Sequence, residues 1–154
     1  MPLPQPDQLP MRTPMNRRYF TAGLFFLPGV ARAHSTRLGD IAIGHSWALP
    51  SDQTDGQVFF PLVNNGKAPD ELVAARSDIC GLIELRQNNR YDDPPLPSVV
   101  LEPGRPVPMR PRARHLRLVG LKKHLNEYDN FNIILDFLNA GEVEIVVIVE
   151  IPGN

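Results

Sequence analysis

The stretch Phe131-Asn132-Ile133-Ile134-Leu135-Asp136-Phe137-Leu138-Asn139-Ala140-Gly141-Glu142-Val143-Glu144-Ile145-Val146-Val147-Ile148-Val149-Glu150-Ile151 decides the fold class. Two long runs rich in β-branched and aromatic residues, 131–138 and 143–151, flank Asn139-Ala140-Gly141, which is hairpin-turn chemistry. Shorter runs of the same kind recur upstream, at 115–119, 107–109, 99–101, 82–86 and 72–75, then at 57–63, 47–49 and 40–43. Turn residues separate them, among them Asn64-Asn65-Gly66 and a polar 87–93 loop followed by Pro94, Pro95 and Pro97, which cannot donate to a ladder. No window carries sustained helical periodicity with caps, although 121–128 could hold one turn. Many short, evenly spaced strands predict an all-β chain, a β-sandwich of Greek-key type.

The whole sequence has 154 residues, 42% hydrophobic and 21% charged, with a net charge of −1. That is one domain's worth of chain, large enough to bury a core without staples. The charge excludes nucleic-acid binding driven by global basicity. A single cysteine, Cys80, excludes an internal disulfide and a multi-thiolate zinc site.

Composition is uneven along the chain. Six of the 17 prolines fall in the first 33 residues. Arg17-Arg18, an apolar 19–30 stretch and Ala31-Arg32-Ala33 read as the three parts of an export signal with cleavage after Ala33. The chain is thus expected to divide into a 1–33 leader, with its signal core at 15–33, and a 34–154 domain. The apolar stretch is too short to span a bilayer comfortably, so no stable membrane span is expected after cleavage. The paired arginines before Tyr19-Phe20 fit either the general or the twin-arginine route, and translation could begin at Met11 or Met15. The leader removes four of the 16 basic residues (Arg12, Arg17, Arg18, Arg32) and one of the 17 acidic ones (Asp7). Twelve then stand against 16, a net charge of −4.

Five stretches belong together: Leu38-Gly39-Asp40-Ile41 with His45-Ser46-Trp47-Ala48-Leu49-Pro50, the 59–70 segment containing Val63-Asn64-Asn65-Gly66, Ile83-Glu84-Leu85, His115-Leu116-Arg117-Leu118, and Ala140-Gly141-Glu142-Val143. Taken together they resemble the periplasmic copper chaperones of the PCuAC family. The resemblance covers nearly all of 38–150 in order. It implies a cupredoxin-like sandwich that holds Cu(I) and passes it toward cytochrome c oxidase, with a copper-receiving or assembly protein of the periplasm as partner. In that family the metal sits on two histidines and two methionines, soft and neutral donors that suit Cu(I).

Here the pattern is altered. Arg86 stands where the resemblance places the first histidine, and the 88–98 segment contains no methionine. The last motif reads His115-Leu116-Arg117, with arginine in place of methionine. His115 alone survives of four donors, because arginine stays protonated and has no lone pair to offer. Copper is therefore carried over only with an altered site. Arg86 and Arg117, with Arg114 beside them, are expected to repel a cation and to favour an anion or an acidic partner surface. The competing expectation is a solvated basic edge strand.

Other donors are fewer. Cleavage would make His34 an N-terminal residue whose amine and ring chelate Cu(II), with His45 or His115 as a further imidazole. His45 beside Trp47 also reads as a strand histidine held by a neighbour. No nucleophile elbow, zinc-protease motif or phosphate loop occurs, so the chain is expected not to be an enzyme. Two functions remain: an exported copper chaperone with a changed site, and a binding or assembly module on the same sandwich.

Overall fold

The computed structural model describes residues 35–153. Twelve strands follow in order: β1 (Thr36–Leu38), β2 (Ile41–Ile43), β3 (Trp47–Ala48), β4 (Asp55–Phe59), β5 (Pro61–Asn64), β6 (Asp70–Arg76), β7 (Cys80–Arg86), β8 (Val99–Leu101), β9 (Val107–Pro108), β10 (His115–Leu121), β11 (Asn130–Phe137) and β12 (Gly141–Val149). Among the described residues there is no helix, so none is long and apolar enough to cross a membrane. The all-β expectation holds, as does the hairpin. β11 and β12 pair antiparallel from Asn130–Ile148 to Phe137–Gly141, and Gly141 takes the positive φ of +92° that the turn requires. The leader and His34 lie outside the described residues.

The strands form a four-stranded sheet, β1-β2-β5-β9, and an eight-stranded sheet, β7-β10-β4-β3-β12-β11-β6-β8. Most neighbours are antiparallel. The exception joins β12 to β3, parallel at Ile148–Trp47 and Val149–Ala48. Phe60, Leu62, Leu72, Leu101, Leu116, Leu118, Ile133 and Leu135 fill the space between the sheets. Met109 and Cys80 are buried in the same core, and burial pushes the Cys80 thiol pKa up, which keeps it protonated and inert.

Three boundaries differ from the sequence reading. The 57–63 run is not one strand. It divides after Phe59 and restarts at Pro61 in the other sheet. Pro61 has no N–H to continue the ladder, and its carbonyl instead accepts the Gly44 N–H at 2.9 Å. Only glycine fits opposite it, since a Cβ on Gly44 would come within 2.3 Å of the Pro61 ring. The 121–128 segment forms no helical turn. Leu125 and Ser51 exchange backbone hydrogen bonds there instead. Finally, the Thr36–Leu38 stretch adds an edge strand to β2, too short to announce itself by pattern.

Strand alternation gives the eight-stranded sheet a second, outward face. On it stand Glu84 and Arg86 of β7, His115 and Arg117 of β10, and Asp55, Gln57 and Phe59 of β4. The register sets His115 opposite Arg86, and Arg117 between Glu84 and Gln57. Trp47 of β3 stands opposite Phe59.

Candidate functional site

Phe59 and Phe60 are both fully buried, for different reasons. Phe60 belongs to the core, whereas Phe59 lies on the outward face under Trp47, with ring centroids 4.6 Å apart. On the other side of Phe59 is His115, at 6.0 Å. An aromatic floor thus runs from Trp47 to the histidine. The 87–98 loop covers this end of the face, pinned to β7 where Leu96 N–H donates to Leu85 O at 2.8 Å.

That cover is why His115, on an outward face, is 0% exposed. Its ring is held at both nitrogens. Nδ1 lies 2.7 Å from Ala113 O, and a carbonyl can only accept, so Nδ1 carries the proton. In the neutral ring Nε2 is then an acceptor, and Tyr91 Oη donates to it across 2.9 Å. Gln57 Nε2 donates to the same phenol oxygen at 2.7 Å, completing a chain Gln57–Tyr91–His115–Ala113. Burial lowers the His115 pKa below its ordinary value. The bond to Ala113 opposes this, and the Arg86 and Arg117 charges add to it. His115 is therefore neutral at pH 7, and its free lone pair is already taken.

The two arginines are also committed. Arg86, with 5% of its side chain exposed, donates to Glu84 Oε2 through Nε (2.8 Å) and Nη2 (2.6 Å), and to Asp93 O through Nη1 (2.6 Å). Arg117 pairs with Asp55, including Nε to Oδ2 at 2.9 Å, and reaches Glu84 at 3.3 Å. Its guanidinium lies 4.0 Å from the Tyr91 ring centroid, and that of Arg86 lies 5.2 Å away, a cation–π arrangement that seats the phenol. Two cations and two carboxylates share the site, so its charge is compensated. β10 is an interior strand between β7 and β4, so Arg117 is not on a sheet edge.

The remaining expected residues are dispersed. His45 Nε2 binds Glu150 Oε1 at 2.7 Å, so its ring is held by a neighbour. Arg114 is not in the buried cluster and binds Gln87 Oε1 from Nε and Nη2. Among the described residues no three His, Cys, Asp or Glu side chains converge as a metal site, and no buried side-chain nitrogen or oxygen lacks a partner. The donors present do not make a soft Cu(I) set. Sequence reasoning did not single out Tyr91, Gln57, Glu84 or Asp55. A usable signal was there: Asp55-x-Gln57-x-Phe59 alternates onto one face, and Tyr91 is a lone aromatic in a polar loop.

This fold defines a cupredoxin-like domain of the PCuAC class. Residues 41–149 match the model of the LpqE-like family, named for a lipoprotein, and the chain belongs to that family. Among solved structures it is similar to the apo PCuAC domain from PmoF1 (25% identity, TM-score 0.71, covering 77% of this chain and 100% of that one). It is similar as well to the copper-bound PCuAC domain from PmoF2 (28% identity, TM-score 0.68, 77% and 99% covered). Cu(I)-DR1885 from Deinococcus radiodurans shares the fold at 17% identity, TM-score 0.59, with 78% and 83% covered. No curated protein matches.

Proposed function

We propose that this is an exported, periplasmic copper chaperone-like protein with an altered site, serving copper delivery toward cytochrome c oxidase assembly. Copper is its cargo, and a copper-receiving or assembly protein is its partner. The observation that carries the reading is the position of His115 at the head of β10, in a domain 28% identical to a copper-bound PCuAC domain. What is altered is the company His115 keeps: Tyr91 on Nε2, Arg86 and Arg117 in place of donors. One imidazole without sulfur partners holds Cu(I) weakly, which suits brief transfer rather than storage.

The test is titration of the processed protein with Cu(I) and Cu(II) against chelators of graded affinity. Weak one-equivalent Cu(I) binding that is lost in His115→Ala is expected. Tight Cu(I) binding indifferent to His115→Ala would overturn the altered-site reading. The Cu(II) arm separates His34, because one extra residue before it abolishes amine chelation and leaves binding at His115 untouched.

A second reading is favoured by a different observation. Arg110, Arg112 and Arg114 crowd one tight turn before β10, closed by Arg110 N–H to Arg114 O at 2.9 Å and with Arg112 at φ +63°. None of the three is in an ion pair among the described residues. With Arg86 and Arg117 neutralised by Glu84 and Asp55, this turn is where an acidic partner would be met by a non-metal binding module.

A further inference from the structure

Beside the His115 network lies an open groove of about 260 Å3, lined by Leu49, Ser51, Asp55, Gly56, Gln57 and Tyr91 among others. Tyr91 therefore borders two spaces, with its hydroxyl on His115 Nε2 while the residue also lines the groove. We infer that Tyr91 is the gate of the site, the residue that decides what reaches His115, and that the groove receives its ring when the gate opens. The volume is many times the roughly 30 Å3 of one water, room enough for a phenol. The groove wall is compatible with both ends of the ring, apolar at Leu49 and Gly56 and polar at Ser51, Asp55 and Gln57.

The latch consists of contacts already described. Tyr91 spends its one O–H on Nε2, accepts from Gln57, and rests on the Arg117 guanidinium. Arg117 is in turn fixed by Asp55 and Glu84. Apart from Tyr91 only Gln57 need move, since it lines the groove too and can follow the hydroxyl. Opening exchanges one hydrogen bond on the histidine for solvent or groove contacts and bares a neutral imidazole nitrogen. That nitrogen is the only ring donor available, because Nδ1 is committed to Ala113. The inference deepens the copper reading by naming the residue that controls entry, but access to His115 can be read without any metal.

The probe is diethyl pyrocarbonate, which carbethoxylates a neutral imidazole nitrogen, with each histidine followed separately by peptide mass spectrometry. In the wild type His115 should react far more slowly than exposed His124. Tyr91→Phe keeps the ring and its cation–π contacts but removes the cap, and should raise the His115 rate several-fold. Tyr91→Ala should raise it further, while His124 stays unchanged. Leu49→Trp, which fills the groove, should slow His115 below wild type. An unchanged His115 rate in natively folded Tyr91→Ala overturns the gate. A rate that rises in step with His45 and His124 assigns the effect to general loosening and overturns it equally. If Leu49→Trp leaves the rate as it was, the groove is not where the ring goes. Copper binding is the separate arm: Tyr91→Phe should bind it several-fold more tightly. Failure there with His115 unmasked would count against copper and not against the gate.

Discussion

At the scale of single residues the decisive one is His115. It faces Tyr91 and Phe59 and lies beside the Arg86 and Arg117 charges, which Glu84 and Asp55 balance. Its pKa is lowered in the folded state, chiefly by burial. The unfolded chain therefore takes up the proton first. The stability this contributes is fully present above the ordinary histidine value of about 6.5. It is lost as pH falls from there toward the folded value, and below both it is gone. Urea midpoints measured between pH 7.5 and 4.5 should fall more steeply in the wild type than in His115→Gln. Parallel curves would show that His115 is not the group responsible. An arginine two positions after His115, where the resemblance leads one to expect methionine, was plain from the sequence. Its charge compensation was not, because Asp55 is 62 positions away in the chain and becomes a neighbour only through β-pairing.

Elements show the same division between local and distant information. The β11–β12 hairpin was legible because its turn chemistry and both runs are contiguous. What anchors it was not. Asp70, at the start of β6, accepts backbone N–H groups from Glu71 (2.7 Å), Asn139 (2.9 Å) and Ala140 (2.9 Å). Nearly buried, it ties the tip of the hairpin to a strand 70 residues earlier. Replacing it with alanine strands those donors, and Asp70→Ala should cost about 3 kcal/mol in chemical denaturation. A loss under about 0.5 kcal/mol, the range of ordinary surface changes, would show the contacts to be incidental. The 57–63 run misled for a related reason. Alternation alone cannot say that a strand leaves one sheet for another, and the Gly44–Pro61 approach that makes the corner is a tertiary fact.

Over the whole molecule, the family likeness carried the fold further than it carried the site. Leu116 and Leu118 pack into the core, whereas His115 and Arg117 on the same strand stand on the other face, outside the core cluster. Charge is distributed with similar independence. Residues 34–154, with a net charge of −4, concentrate Arg110, Arg112 and Arg114 in one turn. If that turn meets an acidic partner, binding of a hexaglutamate peptide should weaken several-fold between 50 and 300 mM salt, where screening lengths contract to well under about 15 Å. Arg110→Glu with Arg112→Glu should abolish it. Salt-independent binding, or binding that survives both reversals, would remove the second reading.

The parallel pairing of β12 with β3 carries a consequence in time. The last of the described strands, β12, sits in the interior of the larger sheet, between β3 and β11. Synthesis runs from the other terminus, so both neighbours are present before the strand that joins them. β12 fills the place between β3 and β11, two strands that without it have unpaired edges toward each other. Assembly of the sheet is thus completed late and at long range, a topology expected to be slow. The nascent domain has its longest window of exposure at its own centre rather than at its rim.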